Sequence, residues 1–377
     1  MGEKTLYCGI DIHYKKSSFC ILKKNGETKD YIEINTSKRE IESLINRYQK
    51  YKMQYAVEAG NMTRYFHKIA SNLDNTEKVH VVHPLKFKII TESKHKNDKN
   101  DSKNLALGLL KNYLPYPVHI KSEESRQLQI LLNLRRRMVS TRTKLIQQTK
   151  SIIRSLGIKT EAKSLKSTRG FLEIINLLEK EEFDKETIEF LFEEFKIEDE
   201  KIKMIEEKIM EKIKQNFIKE YKLLISIPGI AFVTAATIIA HVDGIKRFQK
   251  ASQLSAYFGL VPSEYSSGEK IKHGRITKEG IKEVRALLIQ AAWTLIRIRS
   301  KNDERLTALK KKYYKLAFKG KNSQKAIVAI ARHLSRIIFG VLNNGMPYSG
   351  IIINRQESIK PALYSGEGVN FASELYD

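Results

Sequence analysis

At 377 residues, 41% of them hydrophobic and 29% charged, the chain is long enough for about two or three packed domains and is not a disordered tail. A formal net charge of +25 with a pI near 9.7 favours a polyanionic partner, nucleic acid or an anionic membrane surface. The two cysteines, Cys8 and Cys20, exclude a disulfide framework and a zinc site and read as buried reduced thiols. Charges in MGEKTLYCGIDIHYKK exclude a signal peptide, so a cytoplasmic, nucleoid-associated protein is expected.

Residues 5–34 predict a β-meander. LYCGIDIH alternates with period two, SSFCIL follows, and Asn25-Gly26 before KDYIEIN predicts a type I′ hairpin in which both residues take positive φ. Ser37 caps a predicted amphipathic helix, SKREIESLINRYQKY. QYAVEAG predicts a fourth strand, TRYFHKIASNL a helix, and VHVVHP a fifth strand ended by proline. LKFKIITES and residues 98–111 predict helices. Three strands, helix, strand, helix, strand, helix is the order of an α/β RNase H-like fold.

Four acids stand out in this region. Asp11 and Glu58 end apolar strands, while Asp98 and Asp101, in KNDKND, lie three apart and share a helix face. Asp11 falls on the strand face opposite Ile10 and Ile12. Clustered carboxylates are the donors that hydrated Mg2+ takes, and Mg2+ serves phosphodiester chemistry. Any one of these acids alone reads as a solvated surface group or a helix N-terminal residue. The four together inside a basic protein suggest an enzyme acting on a nucleic-acid backbone.

From residue 122 to about 156 a long helix is predicted, with Leu128, Leu131, Leu132, Met138, Leu145 and Ile152 as its apolar stripe. Arg135, Arg136 and Arg137 lie around that stripe and are candidate phosphate contacts. Residues 179–222 predict a second long helix, with Ile202, Ile205, Ile209, Ile213 and Phe217 at helical spacing. The pair predicts a helical hairpin or coiled-coil arm, serving either oligomerisation or as a spacer packed on its own chain. Residues 223–240 carry no charge and have the length of a membrane span. Pro228-Gly229 interrupts them, so two short buried helices around a turn are expected, and no membrane. That turn resembles a helix-hairpin-helix, which aims backbone N–H groups at phosphates, or is an ordinary buried turn.

Next, Ser266-Ser267-Gly268 is predicted in a turn after Pro262, before a basic loop holding Lys270, Lys272, His273, Arg275 and Lys278. A serine hydroxyl becomes a nucleophile when a base takes its proton and cations stabilise the developing charge. Alone, such a turn is commonplace.

The ordered strings GIDIH, AVEAG, VVHP, KNDKNDSKNLA, SIPGI, FGLVPSEYSSG, GRITKEG and VRALLIQAA resemble the DEDD-type insertion-sequence transposases, the one-ten group that includes the pilin-gene invertases. The late helix KAIVAIARHLSRIIFGVLNNG also fits. The resemblance implies a RuvC-like α/β catalytic domain at 1–120, a coiled-coil arm at 121–222, a mainly α-helical transposase domain at 223–350 and a tail at 351–377. It implies that Asp11, Glu58, Asp98 and Asp101 hold Mg2+ and that Ser267, or Ser266 one register away, forms a phosphoserine link to DNA. Further implied are donor and target DNA duplexes, a noncoding guide RNA that pairs with both, and a homo-oligomer (dimer or tetramer); by their own chemistry Lys270, Lys272, Arg275 and Lys278 are candidate phosphate contacts. Asn97, where threonine is usual, and Ala231, where glycine is usual, depart from the pattern. A RuvC-like nuclease that hydrolyses DNA with water, and a non-catalytic nucleic-acid-binding protein, are the competing readings.

Overall fold

In a computed structural model that describes residues 5–88, 98–158, 165, 167–178, 182–267, 270–298, 304–320 and 322–349, the period-two run TLYCGIDI forms the central strand β1, Thr5–Ile12. Strands β2 (Lys16–Leu22) and β3 (Thr28–Asn35) complete an antiparallel meander. Strands β4 (Lys52–Glu58) and β5 (Thr76–Val82) add in parallel on the other side of β1, in the order β3-β2-β1-β4-β5. Helices α1 (Lys38–Asn46) and α2 (Thr63–Ala70) follow β3 and β4. The short α3 (Pro84–Lys88) and the longer α4 (Asp98–Leu110) follow β5. The expected order of elements is therefore present, and Ser37 caps α1 by accepting from the Glu40 N–H. Most of LKFKIITES lies outside the described residues.

The Asn25-Gly26 turn departs from expectation. Gly26 has φ +86°, but Asn25 is not among the described residues with positive φ. The Gly26 N–H donates to the Lys23 carbonyl and the Lys23 N–H to Glu27, so three residues bridge the strands with glycine in the left-handed position. This is a longer hairpin with a glycine bulge, in which the asparagine instead accepts from the Glu27 N–H.

Period two splits the sheet into faces. Leu6, Cys8, Ile10, Tyr55 and Val57 pack with Ile41 and Ile45 of α1 and Phe66 and Ile69 of α2. Cys8 and Cys20 are free, buried thiols, and burial pushes the Cys8 thiol well up, which keeps it unreactive. On the opposite face, α4 lies directly on β1. A Cβ at Gly9 would fall 1.9 Å from the Ser102 carbonyl oxygen and 2.4 Å from the Ala106 nitrogen, both backbone atoms that cannot swing away. Gly9→Ala is therefore expected to destabilise the first compact unit, 1–121, by about 3 kcal/mol through overpacking. A urea unfolding midpoint equal to wild type would refute this close contact.

The second unit, 122–377, begins with the predicted long helix α5, Glu123–Ser155, which Ser122 caps by accepting from the Ser125 N–H. Its long partner α7 runs Glu182–Asn216 and stops there, because Phe217 leaves helical geometry (φ −140°) before α8, Ile218–Ile225. The second predicted helix is thus two. Arg135 pairs with Glu206 and Arg142 with Asp199, so α5 and α7 run antiparallel. At one end Leu128 and Leu132 join Ile205, Ile209 and Ile213 in the main helical core. At the other, α6 (Thr168–Leu177) closes a separate core through Phe171 and Ile174 against Leu145, Ile153, Phe192 and Phe195.

The uncharged stretch 223–240 is broken as expected, into α8 and α9 (Phe232–Val242) around Pro228-Gly229-Ile230. Gly229, at φ +86°, sits where a Cβ would meet the Ala291 carbonyl at 2.6 Å. The helices α10 (Ala251–Tyr257), α11 (Lys282–Arg297), α12 (Glu304–Gly320) and α13 (Ser323–Asn344) complete this core. Helix α13 is the one described helix long and apolar enough to cross a membrane, and half of that stretch is buried inside the protein. Between α10 and α11 stands a two-stranded hairpin, β6 (Pro262–Ser267) and β7 (Lys270–Ile276).

Candidate active site

Asp11 and Glu58 come together at one end of the sheet. In the parallel pair β1–β4, Ile10 lies opposite Val57, so the two acids occupy the next position on neighbouring strands. Both follow the parity of Gly9 and Ala56, whose face α4 covers, Ala56 packing with Leu105. Near the start of β1, Tyr7 pairs with Leu22, and Leu110 at the far end of α4 comes 3.8 Å from the Cβ position of Gly26 in the turn that follows Leu22. The helix therefore runs against β1, and its first turn, with Asp98 and Asp101, lies at the Asp11 end of the sheet. Asp101 is exposed, and the Asp98 side chain lies outside the described residues. Among the described residues no group of three His, Cys, Asp or Glu is placed to hold a metal ion.

An open cleft of about 540 Å3 is lined by Asp11, His13, Tyr14, Glu58, Gly60 and Asn61. His13 places Nε2 3.3 Å from Asp11 Oδ2. His13 stood in the sequence only as part of a motif; it lies one residue past the end of β1, so strand alternation alone did not place its ring beside Asp11. Hydrogen bonds fix both walls. Thr63 Oγ1 donates to the Glu58 carbonyl at 2.5 Å and accepts from the Gly60 N–H at 2.8 Å. Thr36 Oγ1 donates to the His13 carbonyl at 2.7 Å. Two oxygen-donor carboxylates side by side, with two more on the helix arriving at that end, suit a hard divalent cation.

The second cluster differs from its predicted form. Ser266 and Ser267 lie at the end of strand β6, and the basic stretch 270–276 is a strand rather than a loop. Alternating polar and β-prone residues on either side of a short connection form this ladder. Its register sets Ser267 opposite Lys270 and Tyr265 opposite Lys272, whereas Ser266 lies opposite Ile271 and Glu264 opposite His273. The Thr277 N–H closes the base of the hairpin on the Val261 carbonyl. Arg275 and Lys278 are exposed; the side chains of 264–273 lie outside the described residues.

On α5, the three candidate arginines differ. Arg135 contacts Glu206 at 2.6 Å and Arg136 contacts Glu283. The Arg136 hydrogen bond, foremost, holds the Glu283 carboxyl below its ordinary value. Arg137 is exposed and lines, with Arg136, Ser140, Thr141 and Lys144, an open groove of about 550 Å3.

A family model described as the IS116/IS110/IS902 transposase family matches residues 221–307, which include the serine hairpin. A DEDD transposase model of the IS110 type matches residues 8–158, which include all four acids. The chain is 31% identical over 260 residues to the transposase for insertion sequence element IS1111A of Coxiella burnetii, covering 67% of this chain and 68% of that protein. It is 25% identical over 368 residues to the putative transposase y4qE of Sinorhizobium fredii, covering 89% and 88%. It is 32% identical over 127 residues to the pilin gene-inverting protein of Moraxella bovis, covering 33% and 38%.

Proposed function

From the chain's membership of the IS116/IS110/IS902 transposase family, as a DNA transposase or recombinase, we propose a strand exchange carried by a serine and a carboxylate tetrad acting on one phosphate. The observation that carries this reading is that each matched segment contains one of the two candidate clusters. The first holds the Asp11–Glu58 cleft and the second the Ser267 hairpin.

In this reading the first unit is a RuvC-like domain, consistent with its strand order and with acids at the ends of β1 and β4. Asp11, Glu58, Asp98 and Asp101 would hold Mg2+, which when bound would supply charge neutralisation at the scissile phosphate. Ser267 Oγ forms the new bond to phosphorus while the bond to a deoxyribose oxygen breaks. The serine proton passes to a tetrad carboxylate, and the departing sugar oxygen takes up a proton as a hydroxyl. A hydroxyl of the incoming strand reverses the step and frees the serine. One phosphoester replaces another, so the exchange needs no external energy source.

The hairpin register favours Ser267 over Ser266, because Ser267 and Tyr265 stand opposite Lys270 and Lys272. Cations in that row would stabilise charge on the phosphate. In this reading the serine and the carboxylates meet across subunits of a homo-oligomer. Sequence choice would come from a noncoding RNA paired to donor and target DNA, the protein contributing backbone contacts. The +25 charge supports a body that holds several polyanions.

Protease digestion followed by a denaturing gel tests the chemistry. The expected product is a DNA strand that carries a peptide remnant linked through serine. Cleaved ends free of peptide would replace strand exchange with hydrolysis.

A further inference from the structure

All of α13, and α12 beyond its first turn, lie outside both segments that match the transposase models. From Arg305 through Ser349 the sequence contains no Asp or Glu, while ten Lys and Arg fall between Arg305 and Arg336. This unbalanced charge is gathered in space. Lys312 on α12 contacts His333 on α13. Burial, and then Lys312, Arg336 and Arg332, hold the His333 imidazole below its ordinary pKa, so these cations converge on one point. Among the described residues no acid pairs with Lys311, Lys312, Lys315, Arg332 or Arg336. Like charges held together repel, and a polyanion laid across them relieves that repulsion.

The same helix displays aromatic rings to solvent. Leu306, Leu309 and Tyr313 are buried and anchor α12 to the core. On its outer side, Tyr314 is 51% and Phe318 81% exposed, four residues apart. Lys311 and Lys315 lie at the same helical spacing beside them and are also exposed. Exposed rings gain nothing from a duplex backbone, but each offers a stacking surface to an unpaired base. Strand exchange by a DNA recombinase produces unpaired DNA.

We propose that the outer face of α12, with the adjoining cations of α13, is a docking strip for an unpaired DNA strand, bases stacking on Tyr314 and Phe318 and phosphates meeting the lysines. The strip needs neither Ser267 nor the acidic tetrad, so it stands or falls apart from the strand-exchange chemistry.

The protein carries its own reporter. Trp293, the chain's one tryptophan, meets Tyr313 edge-on at 5.8 Å, and Tyr313 meets Tyr314 at 5.4 Å. The full chain is titrated with oligothymidylate in EDTA, following both Trp293 emission and the anisotropy of labelled oligonucleotide. Wild type is expected to show a saturable emission change. The double variant Tyr314→Ala/Phe318→Ala is expected to lose that change and to bind oligothymidylate about 100-fold more weakly, with duplex binding unchanged. Tyr314→Phe keeps the ring and is expected to keep the affinity. Lys311→Ala/Lys315→Ala is expected to lower the salt slope by about 0.7 for each phosphate no longer neutralised. Undiminished oligothymidylate binding by the aromatic double variant overturns the proposal. So does an equal loss on duplex DNA, or a loss confined to oligouridylate, which would assign the strip to RNA.

Discussion

Ser267→Ala is expected to abolish recombination, by about 10^4-fold or more, while DNA binding persists. Removing a nucleophile leaves no bond to phosphorus to form, whereas the hairpin that carries it is held by backbone pairs that alanine preserves. The covalent peptide remnant on DNA should disappear with the activity. Ser266→Ala, one position away and opposite Ile271 rather than Lys270, should retain both. The decisive comparison is between these two variants in a recombination assay and on the protease-treated gel. Full activity of Ser267→Ala would end its assignment as nucleophile, and an inactive Ser266→Ala beside it would move the role one residue. Cleavage without an adduct in wild type would leave the acidic cleft as a hydrolytic centre on its own.

Strand, helix and cap positions were largely legible because they follow local rules. Ser37 and Ser122 cap helices that the 3.6-residue pattern already predicted, and the parity of β1 already separated Asp11 from Ile10. What local pattern could not supply is long-range. Gly9 looks like any glycine in a strand until α4 is found against it, 1.9 Å from a would-be Cβ. His13 acquires meaning only when its ring is seen beside Asp11. The Glu- and Lys-rich pattern through residue 222 gave no hint that Phe217 breaks the helix, because the apolar spacing continues across the break into Tyr221 and Leu224. In the serine hairpin, glycine and charge suggested a loop, yet the two strands pair from Pro262 to Ile276. Short polar strands carry a weak apolar alternation, so cross-strand pairing decides them. Arg135 and Arg136 stood as equal candidates for phosphate in the sequence, but their acids lie 71 and 147 residues away.

Asp11→Asn should remove DNA cleavage by about 10^3-fold or more while leaving the fold intact. The amide keeps the shape of the carboxylate, and Asp11 stands at the end of β1 outside the apolar core formed by Ile10 and Val57. Its side chain is only 17% exposed, so the charge it carries is sheltered enough to matter to a cation in the cleft. Loss of one negative charge from a basic protein should leave DNA binding equal or slightly tighter, which separates this variant from a merely unfolded one. A second readout needs no reaction. At ten times its Kd, Mg2+ bound to the native state alone stabilises it by about 1.4 kcal/mol, seen as a rise in Tm that EDTA reverses. That rise should vanish in Asp11→Asn and in Glu58→Gln, because the two acids neighbour each other across the parallel pair. If both variants keep the full Mg2+-dependent rise, the cleft between β1 and β4 does not hold the metal, and the acids at the sheet end serve some other purpose. If the rise vanishes but cleavage survives, the metal is bound there without taking part in breaking the strand.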